Sequence, residues 1–194
     1  DSTQSEGLVP VPYPGVDGLA TAGYKGLLGP RGTAFFFARE ADSPVPVAPS
    51  PYGMADSGNG SYGPPLAPAS GARGLTQSPA WLSWVGARPA LNELESIPAT
   101  TRAEHVLGLS AALRELLTEA AVAVVPSELP SPIACIPSSD APAVCRQLAS
   151  RGIRCAARGR YLRAGFHVYN TLDDVHALAE SLLTMPSLLE RNPQ

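Results

Sequence analysis

From Asp42 to Gly74 the chain is dominated by Pro, Gly, Ser and Ala, with Tyr52 and Tyr62 as its only aromatic residues. Such a stretch cannot bury enough apolar surface to offset the entropy of ordering it, so it is expected to form a long, partly mobile loop. Its alternative role is a flap over an active site. Folded structure must therefore be built from a short block before this stretch and a longer block after it.

In the first block, Leu8 to Pro12 reads as a short extended segment that its prolines keep out of a central sheet position. The apolar run Thr33–Ala38, bounded by Gly32 and by Arg39-Glu40, reads as a buried strand. After the loop, Pro89 to Ile97 suggests a short helix with proline in its first turn. A longer helix is expected from about Thr101 to Glu119, since Val106, Leu109, Leu113 and Leu117 keep the spacing of one helical face.

The last third alternates between strand and helix patterns. Strands are expected at Ala121–Val125, Ile133–Ile136, Ile153–Ala157 and Leu162–Tyr169. Ser138 or Ser139 can cap a helix that runs to Ser150 and is stopped by Gly152. Thr171 caps a final helix, with Asp174 three residues on in a capping-box arrangement and with Val175, Leu178, Ala179, Leu182 and Leu183 as its buried stripe. Elements in this order predict a small two-layer α+β domain.

Composition narrows the partners. The formal net charge of -3 gives no sign of a nucleic-acid or acidic-membrane partner. No apolar run is long enough to span a bilayer, and no signal peptide is visible. Cys135, Cys145 and Cys155 are too few and too odd in number for a disulfide framework, and their spacing is not that of a zinc site, so a reducing compartment such as the cytoplasm is expected and no metal. The first residue is Asp1 rather than Met, which suggests a chain that starts mid-gene.

Of the 14 basic residues, 13 are arginine and one, Lys25, is lysine. Arginine replaces lysine at many surface positions but not where a primary amine is needed, because a guanidinium stays protonated and is not a nucleophile. Lys25 sits in the glycine-rich stretch Gly23-Tyr24-Lys25-Gly26-Leu27-Leu28-Gly29-Pro30-Arg31-Gly32, whose glycines allow tight turns. Two more segments stand out. One is Asp1, Gln4 and Gly7 ahead of Val16 and Asp17. The other is Leu162-Arg163, followed by Tyr169-Asn170-Thr171 and Asp174-Val175.

In that order these segments resemble the class V aminotransferase family, the fold-type-I enzymes that use pyridoxal 5'-phosphate (PLP). Ser78-Pro79-Ala80-Trp81 and Gly152-Ile153 fit the same family, so the resemblance runs along most of the chain except 42–74. It implies an α/β fold, the carboxy-terminal part of a fold-type-I transferase. Residues 1–75 would be the tail of the large-domain sheet with the loop 42–74, residues 76–119 linking helices, and residues 120–194 a small α+β domain.

The resemblance also implies roles. Lys25 would form the Schiff base with PLP and shuttle the proton at the substrate's α carbon. Asp1 would pair with the pyridine nitrogen and Gln4 with the ring hydroxyl. Tyr24, and with it Thr21 or Thr33, would reach the phosphate. Arg163 would hold the substrate carboxylate, and Asn170 would fix the turn behind it. The implied activity is a transformation of an amino acid through an external aldimine, either transamination or C–S lyase chemistry, in a homodimer.

Cys155, inside an expected strand eight residues before Arg163, is poorly placed to be the nucleophile of a cysteine desulfurase, a branch of the same family. The segment that would precede Asp1 in the family, with a phosphate loop and a ring-stacking aromatic residue, is missing, so an amino-terminal segment or a partner chain is expected to complete the site. The alternative is a non-catalytic or split subunit that keeps the fold.

Overall fold

A computed structural model describes residues 1–11, 13, 15–39, 50–55 and 67–191. The chain divides into two compact units, Asp1–Ala99 and Thr100–Gln194.

The first unit is built on a hairpin. Strands β1 (Gly18–Ala22) and β2 (Ala34–Ala38) pair antiparallel, with Thr21 opposite Phe35 and Leu19 opposite Phe37. The ladder is prolonged at both ends, where Gly23 N donates to Thr33 O (2.9 Å) and Arg39 N to Asp17 O (3.2 Å). The amino-terminal segment runs along the other edge of β1: Ser2 N donates to Ala20 O (2.8 Å) and Ala22 N to Thr3 Oγ1 (3.0 Å). It then coils into turns that continue through Leu8 and Val9, whose N–H groups both donate to Ser5 O, so these two residues are not extended as expected. Pro12 lies outside the described residues.

The expected strand at Thr33–Ala38 forms but is not buried. Phe35, Phe36 and Phe37 are 38%, 41% and 43% exposed. A two-stranded sheet has too few neighbours to cover both of its faces. Phe35 meets Trp84 edge-on at 5.3 Å between ring centroids, and Phe37 meets Tyr13 at 5.4 Å.

Within the expected loop, residues 42–49 and 56–66 lie outside the described residues. The described parts are compact. They form 3-10 turns at Pro51–Gly53 and Gly71–Leu75, joined by a bridge between Met54 and Pro68.

Helix α1 spans Trp81–Glu95 and starts eight residues before the expected Pro89. Pro89 therefore lies inside the helix rather than in its first turn. The helix is held early by Ser83, whose hydroxyl donates to Arg31 O (2.7 Å), and its inner face carries Ala87 and Leu94.

The second unit contains the main core. Helix α2 (Ala99–Glu119) presents Val106, Leu109, Leu113 and Leu117, all buried as their spacing predicts. Strands β3 (Ile133–Pro137), β4 (Ala156–Arg158) and β5 (Tyr161–Gly165) form an antiparallel sheet in the order β3-β5-β4. One face, carrying Ala134, Ile136, Leu162 and Ala164, packs with Val144 and Leu148 of helix α3 (Ala141–Ser150) and Val175, Leu178 and Leu182 of helix α4 (Leu172–Leu183). Each fully buried leucine there contributes about 1.5–3 kcal/mol.

Some expected boundaries move. Residues 121–125 do not form a strand. Ala121 turns the chain with φ +56, Val122 makes a single bridge to Arg191, and Arg114 donates to the carbonyls of Val125 (2.8 Å) and Ile133 (3.0 Å), which a ladder would otherwise use. Asp140, not Ser138 or Ser139, caps α3, accepting from Ala143 N at 2.9 Å. Ser138 instead donates to Leu188 O (2.6 Å), tying the end of β3 to the chain beyond α4. Strand β4 starts at Ala156, after Ile153 and Cys155, and β5 ends at Gly165, after which Phe166 N donates to Pro132 O (2.9 Å). Gly152 stops α3 with φ +81, and Thr171 and Asp174 form the expected capping box.

Candidate functional site

In the first unit, the connection between β1 and β2 carries Lys25. Gly29 N donates to Gly23 O (2.7 Å) and Leu28 N to Lys25 O (2.9 Å), which folds the stretch from Gly23 to Gly29 into a closed turn. The amino-terminal turn packs directly against it. A Cβ at Gly26 would stand 2.0 Å from Glu6 O, and one at Gly7, where φ is +82, would stand 2.6 Å from Gly26 O. Only glycine permits such an approach of two backbones. The segment containing Asp1, Gln4 and Gly7 and the turn containing Lys25 are thus one packed piece.

Lys25 is half-buried and, among the described residues, makes no ion pair. Its Nζ lies 5.6 Å from the centroid of the exposed Tyr24 ring. The Arg31 guanidinium lies 4.2 Å from the same centroid. Sequence reasoning did not single out Arg31; its place between Pro30 and Gly32, six residues after Lys25, was the available signal. Thr33 is buried, and its hydroxyl donates to Pro30 O (3.1 Å), so it supports the same loop.

Beside the turn lies a cavity of about 860 Å3, lined by Asp1, Thr3, Thr21, Phe35, Tyr52 and Trp84 among others. Asp1 is exposed, and its Oδ1 accepts from Thr3 N at 2.8 Å. Thr21 is only 7% exposed, yet its hydroxyl has no hydrogen-bond partner among the described residues. A buried hydroxyl without a partner is uncommon, because removing it from water costs free energy that a hydrogen bond normally recovers. Gln4 is exposed and, like Lys25, lies outside this lining.

In the second unit, Arg163 sits at the middle of the central strand β5, opposite Cys135 on one side and Ala156 on the other. Its neighbours Leu162 and Ala164 point into the core, so alternation places Arg163 on the opposite face, half-buried.

Asn170 is committed to the turn that follows. Its Oδ1 accepts from His167 N (3.0 Å), its Nδ2 donates to Asp174 Oδ2 (3.0 Å), and its carbonyl meets His105 Nε2 (2.9 Å). The Asn170 amide, and after it the Thr171 N–H, hold the Asp174 carboxyl below its usual range. His167 is buried and stacks on Tyr169 at 4.8 Å between centroids.

The three cysteines are free and half-buried. Burial, and then the neighbouring Cys145, push the Cys155 thiol up to about 11. At neutral pH it is a thiol rather than a nucleophilic thiolate.

No protein-family model and no curated protein matches the sequence. Solved structures do match. The chain is similar to a cysteine desulfurase from Thermococcus onnurineus NA1, with 20% identity and a TM-score of 0.74 over 94% of this chain and 50% of that one. It is similar to the cystine C-S lyase C-DES in complex with its product cysteine persulfide (19% identity, TM-score 0.73, 98% of this chain and 51% of that one). A C-DES variant that lacks a lysine, described with glycine covalently linked to its PLP cofactor, matches with 19% identity and a TM-score of 0.74 over 92% of this chain and 49% of that one. The chain spans about half the length of these proteins. Its fold is that of the carboxy-terminal half of cysteine desulfurases and C–S lyases, as the resemblance to class V aminotransferases implies.

Proposed function

We propose that the chain is part of a PLP-dependent enzyme acting on an amino acid, with Lys25 as the residue whose amine bonds the cofactor's aldehyde carbon. The observation that carries this reading is the Gly7–Gly26 approach, which packs the segment of Asp1 and Gln4 onto the turn of the chain's one lysine.

The residues fit the cofactor. A pyridinium nitrogen needs a carboxylate, and Asp1 offers one at the cavity edge, with one oxygen oriented by Thr3 N. The Thr21 hydroxyl, which has no hydrogen-bond partner among the described residues, supplies a polar group in the same cavity. Tyr24 and the Arg31 guanidinium over its ring give a donor and a positive charge suited to a phosphate, beside a lysine that makes no ion pair among the described residues.

Bound there, PLP would supply an electron sink for bond cleavage at the substrate's α carbon. Asp1 would hold the ring nitrogen in its protonated form, and Gln4 would donate to the ring hydroxyl. The Lys25 amine would hold the cofactor and would serve as the base that takes and returns the proton at the substrate's α carbon. Thr33 acts through the shape of the turn. Arg163 holds the substrate carboxylate by paired N–H donors, and Asn170 fixes the turn that follows β5.

Between transamination and C–S lyase chemistry we favour the latter. The fold matches include the lyase C-DES, and the high pKa of Cys155 disfavours a desulfurase that uses this thiol as its nucleophile. A homodimer in the cytoplasm is the setting we infer, the latter from three free thiols. A split or non-catalytic subunit is the second reading, favoured by a cavity whose lining leaves out Lys25 and Gln4.

The test is borohydride reduction in the presence of PLP, followed by peptide mass analysis, on this chain and on the longest product of its gene. A pyridoxyl group on Lys25, absent in Lys25→Ala, is expected in at least the longer product, together with sulfide release from cysteine or cystine. Absence of label from both would sink the catalytic reading.

A further inference from the structure

Between Asp140 and Asp173 the chain has six arginines and no acidic residue. Arg146 and Arg151 belong to α3 and its end. Arg160 has a partner, since its guanidinium pairs with the Glu190 carboxylate and lies 5.8 Å from the Tyr161 ring. The other three, Arg154, Arg158 and Arg163, are brought together by the register of the sheet in the second unit.

Leu162 lies opposite Ala157 in the β4–β5 ladder and belongs to the core, so this pair faces the helices. Alternation then puts Ala156, Arg158, Tyr161 and Arg163 on the other face. Arg158 stands two residues beyond Ala156, the partner of Arg163. The two arginines are therefore diagonal neighbours, with β-carbons about 7–8 Å apart. Ile153 and Cys155 on either side of Arg154 pack against the core, which turns Arg154 to the same open side. Around Arg163 the side chains are small: Cys135 and Ala156 are its cross-strand partners, and Gly165 follows on its own strand. Arg154 and Arg158 are exposed and make no ion pair among the described residues; Arg158 spends one N–H on the adjacent Ala157 carbonyl (3.0 Å). None of the three strands contains an acidic residue. A face that gathers three positive charges without a carboxylate repels itself and attracts an anion.

We propose that Arg158, with Arg154 beside it, binds a second acidic group of the ligand whose first carboxylate Arg163 holds. The substrate class is then amino acids whose side chain carries a negative charge. This deepens the assignment of Arg163 to a substrate carboxylate and rests on it. A guanidinium is charged at every physiological pH and presents paired N–H donors that match a carboxylate, sulfinate or sulfonate. A neutral side chain leaves the Arg158 donors to water, so the preference is one of charge and not of size.

The experiment is calorimetric titration of the longest product of the gene, at low ionic strength, with glutarate and with pentanoate. Pentanoate has the same carbon chain with a methyl group in place of one carboxylate. Glutarate is expected to bind about tenfold more tightly or better, the worth of one charged hydrogen-bonded contact. Arg158→Gln removes that advantage and leaves pentanoate binding as it was, whereas Arg158→Lys, which keeps the charge, retains part of it. Arg163→Gln weakens both acids. Arg146→Gln, on α3, changes neither.

Equal binding of the two acids, or no binding of glutarate, overturns the proposal. So does a glutarate advantage that survives Arg154→Gln and Arg158→Gln together. Displacement of glutarate by a short single-stranded oligonucleotide at a lower concentration than glutarate itself needs also overturns it, since the face would then serve a polyanion. The titration does not depend on Lys25. A glutarate advantage without PLP label on Lys25 would sink the catalytic reading and leave the two-anion site standing, and label without the advantage would do the reverse.

Discussion

At Gly26 a single absent methyl group sets the spacing of two segments. The 2.0 Å between an added Cβ and Glu6 O leaves no room for adjustment, because the obstacle is backbone rather than a flexible side chain. Gly26→Ala is therefore expected to lower stability by about 1–3 kcal/mol, the usual cost of overpacking, and to reduce labelling of Lys25 by PLP and borohydride. Denaturant midpoints and label yield measure the two effects, and a variant equal to wild type in both would refute the close approach. At this scale much was legible before the fold. The bias of 13 arginines to one lysine drew attention to Lys25, and the glycines around it announced a tight turn. The packing of Thr33 onto Pro30 O, the stacking of Arg31 on Tyr24 and the partnerless Thr21 hydroxyl were not legible. Each depends on which way a side chain turns once the ladder has formed.

The best-specified element is α4. Thr171 Oγ1 accepts from Asp174 N and Asp174 Oδ2 from Thr171 N, a reciprocal pair that spacing alone reveals. Thr171→Ala is expected to cost about 1 kcal/mol, measured by chemical denaturation at neutral pH. Because the folded carboxyl of Asp174 is held below its ordinary 3.8, its contribution is fully present above that value and is lost as the pH falls through the lowered one. Near-complete exposure keeps the effect small.

Elements whose limits are set by tertiary partners were misjudged. Residues 121–125 have a strand's composition, but the Arg114 guanidinium occupies the carbonyls that pairing would use. Pro89 looks like a helix start, yet α1 is begun earlier by Ser83 on Arg31 O and by Trp84 against Phe35. The apolar run of β2 suggested burial, and only its strand character followed, since burial depends on neighbours that two strands do not provide.

The two units differ in how their apolar surface is spent. The continuous core of buried residues from Leu109 to Leu189 lies in the second unit, while the buried hydrophobic residues of the first reduce to Leu8, Ala87 and Leu94 among those described. A fragment of residues 100–194 is expected to unfold cooperatively in urea by itself, with a single transition seen alike by circular dichroism and fluorescence of its tyrosines. Residues 1–99 alone are expected to show no such transition; a cooperative one would contradict this account of their sparse core.

Within that second unit, the alternation along β5 has a consequence for how such a protein can change. A slip of one residue would drive the Arg163 guanidinium among Val144, Leu148 and Leu182 and turn Leu162 and Ala164 out to water. The address of the positive charge is thus guarded by its two neighbours. The residue at 163 can be exchanged while the interior that holds the strand in place is left as it was.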